Sequence, residues 1–288
     1  MTRGFGKPRY EMFRYAPTPS GFLHLGNGVN FVLTYAWARA LGAQILLRID
    51  DLDTDRKRPD YVDDVFRTLD WLSLTYDLGP TSPDDFEQRW SQRHRLSLYE
   101  QTLSELVKTG LVYPSDLSRQ QIRDLGEAEA LRQMRAQNLP LHTPDVPWRV
   151  RVPDGLPFTD FVVRRRDGIP AYQITSLTDD LHFGVTHLVR GDDLRESTAM
   201  QQFLARLLGY ESFRQGVVWH HPLLLDAAGQ KLSKSAGSAS IRALREGGES
   251  PAVVYRAAAR LLGLAEGAGE TLADLEQLFT LLVLRKRR

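Results

Sequence analysis

The chain has 288 residues, enough for one large domain or two modest ones. Its 42% hydrophobic and 25% charged residues are those of an ordinary soluble globular protein, and no run approaches the eighteen apolar residues of a membrane span. Cysteine is absent, which excludes disulfides and thiolate metal sites, and a net charge of +1 excludes a global basic field, leaving only local patches such as Arg164-Arg165-Arg166 or Arg285-Lys286-Arg287-Arg288 for any RNA contact.

In chain order, Met1 to Lys7 lack the apolar core of a signal peptide, so a cytoplasmic location is expected. Arg14-Tyr15-Ala16-Pro17-Thr18-Pro19 reads as extended, because Pro17 and Pro19 exclude helix from the residues before them. A turn at Ser20-Gly21 leads through His24-Leu25-Gly26-Asn27-Gly28 into a helix, marked by Val29, Val32, Leu33, Ala36, Trp37 and Ala40 at spacings of three and four. Such a helix start can seat a phosphate, His24 can bond a phosphoryl oxygen, and glycines let a nucleotide approach the backbone. Gly42 ends the helix and Gln44 to Ile49 reads as a buried strand, so a parallel βαβ unit is predicted. Ligands of such sheets sit beyond the carboxyl ends of the strands, where Arg14 to Gly21 and Asp50-Asp51 fall.

Asp60 to Ser73 is an amphipathic helix with Pro59 suited to its first turn, and a longer helix is predicted from Phe86 to Lys108, stopped by Gly110. Residues 111–157 read as an inserted module: the capping box Ser118-x-x-Gln121 opens a helix to about Gln137, a proline-rich loop follows, and Trp148 to Val152 alternates as a strand. Phe158 to Arg165, Tyr172 to Thr178, Thr186 to Arg190 and Gly216 to His220 are predicted strands, with a helix at Glu196 to Leu208. Lys231-Leu232-Ser233-Lys234-Ser235, between Gly229 and Gly237, puts two cations on one short loop. Two helices, after Ser250-Pro251 and from Thr271, close the chain. The expected domains are therefore 1–110 and 158–245 as two halves of one α/β domain, 111–157 as the insert, and 246–288 as a helical end.

His24-Leu25-Gly26-Asn27 and Lys231 to Ser235 together resemble the HIGH and KMSKS signatures of class I aminoacyl-tRNA synthetases. Arg14 to Gly21, Arg48-Ile49-Asp50-Asp51-Leu52-Asp53 and Thr186-His187-Leu188-Val189-Arg190-Gly191-Asp192-Asp193 resemble RFAPSPTG, RIEDTD and THVIRGDD of the glutamyl/glutaminyl subgroup, so the likeness runs from about residue 10 to 240. It implies a Rossmann-like catalytic domain with an inserted α+β module of the kind that holds the acceptor end of tRNA. It also implies ATP, accompanied by Mg²⁺, as cosubstrate for making an aminoacyl-adenylate. Many members carry a zinc knuckle in the insert; Tyr113-Pro114-Ser115-Asp116 stands there instead, and without cysteine no zinc is expected.

By this resemblance His24, Lys231 and Lys234 are catalytic, with Gly26, Asn27, Gly28 and Lys234 binding ATP. Arg14 takes a side-chain carboxylate, Tyr172 adds a hydroxyl, Arg190 takes a second anionic group, Asp50 meets the α-amino group, and Ala16, Thr18 and Ser176 complete the substrate set. Asp50 replaces the usual Glu, which leaves glutamate against glutamine open. Each residue also has a plainer reading: Arg14 as a surface ion pair, the Asp50-Asp51-x-Asp53 acids as a helix start or divalent-ion patch, and Tyr172 as core. The chain stops where larger members continue into an anticodon-binding domain. That length and the HLGN variant resemble the branch that loads glutamate onto the queuosine base of tRNA(Asp), as a monomer. Other readings are a truncated synthetase acting on another acceptor, a non-catalytic RNA-binding paralogue, and a nucleotidyltransferase that uses no RNA.

Overall fold

A computed structural model describes residues 11–224, 240–265 and 267–286. In chain order they form β1 (Met12–Tyr15), α1 (Leu25–Leu41), β2 (Gln44–Leu47), α2 (Pro59–Trp71), the single turn α3 (Pro83–Asp85), α4 (Leu96–Val107), β3 (Val112–Pro114), α5 (Arg119–Leu125) and α6 (Glu127–Ala136). Then come β4 (Trp148–Val150), β5 (Phe161–Arg164), α7 (Tyr172–His182), β6 (His187–Gly191), α8 (Arg195–Leu207), α9 (Glu211–Arg214), β7 (Val217–His221), α10 (Ile241–Glu246), α11 (Ala252–Leu261) and α12 (Leu272–Lys286). The chain divides into two compact units, one of residues 1–94, 184–195 and 215–288, the other of residues 95–183 and 196–214. The second unit thus takes in the helix before residue 111 and the segments that follow residue 157.

In the first unit β1 pairs with β2 and β6 with β7, both in parallel, with α1 as the crossover between β1 and β2. The two pairs meet where Met12 N donates to Thr186 Oγ1 at 2.8 Å and Thr186 N to Met12 O at 2.9 Å. Alternation along each strand then separates two faces. Trp37 of α1 stands edge-on to Phe13, His187 and Trp219, and Phe31 of α1 packs on Tyr15. Phe13, Tyr15, His187 and Trp219 therefore face α1, together with the core residues Ile45, Leu47 and Val189. Full burial of each such side chain is worth about 1.5–3 kcal/mol. Arg14, Arg190 and His220 alternate with these residues and belong to the opposite face.

In the second unit β3, β4 and β5 form an antiparallel sheet. Its fixed point is Asp160, whose carboxylate accepts from Arg135 Nε (2.8 Å) and Nη2 (2.7 Å), Tyr113 Oη (2.6 Å) and Val152 N (2.8 Å). A second knot forms at Asp179 of α7, which accepts from Arg95 Nε (2.7 Å) and Nη2 (3.1 Å) and from Tyr99 Oη (2.9 Å).

Three expectations are corrected. Tyr172 to Thr178 is the start of a helix, α7, not a strand. Its Ile174, Thr175 and Thr178 suggest a strand by propensity, but Ile174 and Leu177 are buried one helical turn apart, and Thr178 Oγ1 donates to Thr102 Oγ1 of α4 at 2.9 Å. The helix predicted over Phe86 to Lys108 is broken at Ser91 into a π-turn, a 3₁₀ turn and α4. There the Asp51 carboxylate takes the Ser91 hydroxyl (2.7 Å) and the Gln92 amide (2.8 Å), drawing both out of a helical ladder. The helix opened by Ser118 is two, α5 and α6, parted at Gly126, whose φ of 76° lies outside the helical region. The Ser118–Gln121 capping box itself is present, with Ser118 Oγ accepting from Gln121 N at 3.2 Å.

Candidate active site

His24 is the N-cap of α1, and its backbone N–H is taken by Asn27 Oδ1 at 3.0 Å. Asn27 thus closes the first turn in the way a side-chain cap does. The imidazole of His24 lies over Gly26: a Cβ there would meet His24 Cε1 at 2.9 Å and Nδ1 at 3.0 Å. Only glycine leaves the ring where it is. Gly28 is tight for a different reason. A Cβ at Gly28 would meet Ile241 Cδ1 at 2.8 Å and Val254 Cγ1 at 3.1 Å, so this glycine admits α10 and α11 against α1. Lys231 and Lys234 lie outside the described residues. Ser240 bridges antiparallel to His24, while Ile241 N donates to Leu23 O at 2.8 Å. Ser240 also caps α10, accepting from Ala243 N at 3.1 Å.

Beyond the carboxyl end of β2, Arg48 N donates to Tyr15 O and Asp50 N to Pro17 O, both at 2.9 Å, which keeps residues 48–50 alongside Ala16 to Thr18. Ala16 is half-buried and Thr18 exposed. Arg48 and Asp50 form a bidentate pair, Nε to Oδ1 at 2.7 Å and Nη2 to Oδ2 at 3.0 Å, with both side chains buried. Asp51, the neighbouring acid, accepts from Lys57 Nζ at 2.9 Å in addition to Ser91 and Gln92.

Arg14, only 5% exposed, and Arg190, 2% exposed, stand on the strand face turned away from α1. His220 is in register with Arg190, and burial, aided by the charges of Arg195 and Arg190, holds its imidazole below the ordinary histidine value. His220 is therefore neutral at pH 7 and adds no further cation. On the α1 side, His221 Nδ1 lies 2.8 Å from Pro222 O, which can only accept, so the proton is on Nδ1 and Nε2 accepts from Asn30 Nδ2 at 3.1 Å. The other Asn30 N–H goes to Val189 O at 3.1 Å, pinning α1 to the ends of β6 and β7.

The structure thus gathers Arg14, Ala16, Thr18, His24, Gly26, Asn27, Gly28, Asp50 and Arg190 in the first unit. Tyr172 and Ser176 are in the second unit, on α7, the former 42% exposed and the latter buried. Sequence reasoning missed Arg48 and His220. The signal for Arg48 was its i, i+2 spacing to Asp50, which places both on one side of an extended segment. That for His220 was its place one residue beyond Trp219, on the opposite face.

The model of class I tRNA synthetases (E and Q), catalytic domain, matches residues 12–146 and 143–284. The chain belongs to this family, whose members are ATP-using ligases of the aminoacyl-tRNA synthetase type. Within it, the chain is similar to the glutamyl-Q tRNA(Asp) synthetase of Parasynechococcus marenigrum (strain WH8102), at 39% identity over 92% of this chain and 89% of that protein. The protein of the same name from Synechococcus sp. (strain CC9605) is 38% identical over 86% of this chain and 82% of its own length. Among solved structures, glutamate-tRNA synthetase from Elizabethkingia anophelis superposes with a TM-score of 0.72 at 22% identity. The match covers 93% of this chain and 65% of that longer one, and the likeness establishes the Rossmann-like fold. Among the described residues no helix is long and apolar enough to cross a membrane, and none of their His, Asp and Glu side chains form a group of three that could hold a metal ion.

Proposed function

We propose that the chain activates glutamate with ATP and transfers it to the queuosine base of tRNA(Asp). The observation that carries the reading is the strand face opposite α1, where two buried arginines, Arg14 and Arg190, stand near the carboxyl ends of β1 and β6, each strand a member of a parallel pair. Two fixed guanidinium groups suit a dicarboxylate, each able to take one carboxylate in a bidentate fashion. Asp50, held by Arg48, offers an oxygen to the α-ammonium group. Tyr172 and Ser176 are assigned to the substrate by the motif alone.

The HLGN turn is assigned to ATP by the motif, with Gly26 leaving room for the His24 imidazole that lies over it. His24 and Asn27 would meet its phosphates, and Lys231 and Lys234 the leaving pyrophosphate. Bound ATP, with Mg²⁺ held mainly by its phosphates and water, supplies the activated phosphorus. A carboxylate oxygen of glutamate attacks the α-phosphorus and the bond to pyrophosphate breaks. A hydroxyl of the acceptor then attacks the acyl carbon and AMP leaves. Positioning and charge stabilisation do most of this, since no covalent enzyme intermediate is required. The names of the relatives support queuosine as the acceptor. The test is transfer of labelled glutamate to tRNA from normal cells and from cells unable to make queuosine. Label only in the first pool is expected; equal labelling of both would move the protein to another acceptor.

A further inference from the structure

Asn30 of α1 makes two side-chain bonds, and both of its partners flank Arg190. Its Nδ2 donates to Val189 O at 3.1 Å, the carbonyl of the peptide bond into Arg190. It also donates to His221 Nε2 at 3.1 Å, and His221 pairs in register with Gly191, the residue after Arg190. His221 is buried, its Nδ1 donates to Pro222 O at 2.8 Å, and burial holds the imidazole below the ordinary histidine value, so Nε2 stays an acceptor. Along α1 in the other direction, the N-cap His24 is under two turns away, roughly 9 Å at 1.5 Å per residue. One amide group therefore ties the helix that carries the HLGN turn to the backbone on both sides of Arg190.

α1 does not need these bonds to stay packed, since Val29, Val32, Leu33 and Ala36 hold it in the core. Apolar packing is non-directional, however, and leaves the slide and turn of a helix soft. Two hydrogen bonds with fixed directions remove that freedom at the end of α1 nearest the strand ends. We infer that Asn30 and His221 are positioning residues for adenylate formation: they set the place of the HLGN turn relative to Arg190, and with it the line of attack of the amino-acid carboxylate on the α-phosphorus. The inference rests on the reading that Arg190 binds the amino acid and the HLGN turn the phosphates. Holding two reactants in line supplies much of such a rate, and a misplacement of roughly 1 Å can cost about a hundredfold.

The experiment measures single-turnover adenylate formation by the full chain, per titrated active site, and the Kd of each substrate alone. Asn30→Ala puts a good helix former at an interior helical position. It is expected to slow adenylate formation about ten- to a hundredfold while the Kd for ATP and the Kd for glutamate stay within about twofold of the parent. His221→Gln, whose Oε1 can replace Nε2 as acceptor, should recover most of the parent rate, whereas His221→Leu should fall with Asn30→Ala. The double variant Asn30→Ala/His221→Leu should be no slower than the slower single one, as for residues acting through one contact. A parent-level rate for Asn30→Ala would overturn the proposal, and so would a loss that lies wholly in one Kd or in the number of active molecules. Should Asn30→Ala fail to fold, the two His221 variants decide, and equal rates for them overturn the proposal. The parent chain's own choice of amino acid tests the Arg190 reading separately; if that is not glutamate, the same variants are compared on the amino acid it activates.

Discussion

Arginine–aspartate pairs with a buried carboxylate occur in both units, and they differ in what they join. In the second unit Arg95 meets Asp179 and Arg135 meets Asp160, linking residues 84 and 25 apart, and each aspartate takes further donors from tyrosine or backbone. In the first unit Arg245 likewise joins Asp64 across 181 residues, but Arg48 meets Asp50 only two residues away. Burying an ion pair costs several kcal/mol per ion in desolvation, recovered only by excellent geometry and added hydrogen bonds. The long-range pairs recover it as cross-links of a small sheet and its helices. The Arg48–Asp50 pair adds little to chain closure; it lies beyond the end of β2, beside Ala16 to Thr18, and in the proposed function Asp50 meets the ammonium group of the substrate. On the proposed reading, one chemical pair holds the fold in one place and shapes a site in another, and the difference in sequence separation is what motivates that reading.

The sharpest break in the comparison is a matched pair of substitutions. Asp179→Asn leaves Arg95 and Tyr99 facing a neutral amide in a buried site and is expected to cost about 3–5 kcal/mol. Urea denaturation followed through Trp148, the tryptophan of the second unit, measures this. Asp50→Asn is expected to cost less than half as much while raising KM for glutamate about ten- to a hundredfold, the worth of one charge-assisted bond. Equal stability losses with an unchanged KM would erase the distinction.

A pH titration sharpens it further. Burial pushes the Asp160 carboxyl up, but the bonds from Arg135, Tyr113 and Val152 outweigh this and leave it below the usual carboxylate value. Its contribution to stability is therefore complete above about pH 4, the unfolded range, and is lost as pH falls through the lower folded value. The Trp148-reported stability should drop on that acid limb, and Asp160→Asn should flatten the drop while lowering stability at pH 7.

The smallest expected effect lies in the first unit. His187 stacks on Phe13 at 4.5 Å, and burial holds its imidazole below the ordinary value. The unfolded chain therefore takes up this proton first, and stability declines as pH falls from 7 through the ordinary histidine range of about 6.5. His187→Phe keeps an aromatic ring on Phe13 and should shrink that slope. His220 and His221 titrate with the same sign, so part of it remains. A slope unchanged by the substitution would remove His187 from the titrating set.

What was legible in the sequence follows the same division between local and long-range causes. The βαβ unit and the HLGN turn were legible because prolines, glycines and the three-and-four spacing of α1 act within a few residues. The strand alternation around Arg14 and Arg190 was legible in outline, although the aromatic cluster that shows which face meets α1 is tertiary. Tyr172 to Thr178 misled because β-branched residues there serve a helix packed on α4, an outcome set by Thr102 and Arg95 far upstream. The break at Ser91 was hidden for the same reason, since its cause is Asp51, forty residues earlier.

The most direct measurement is ATP–pyrophosphate exchange without tRNA, over a panel of glutamate, glutamine and aspartate, for the parent chain and for Arg190→Met. Exchange with glutamate well above glutamine and aspartate, and reduced about a hundredfold or more by Arg190→Met through loss of a bidentate carboxylate contact, is the predicted result. Exchange with glutamine alone, or exchange with glutamate that Arg190→Met leaves untouched, would contradict the assignment of the arginine face as the glutamate site.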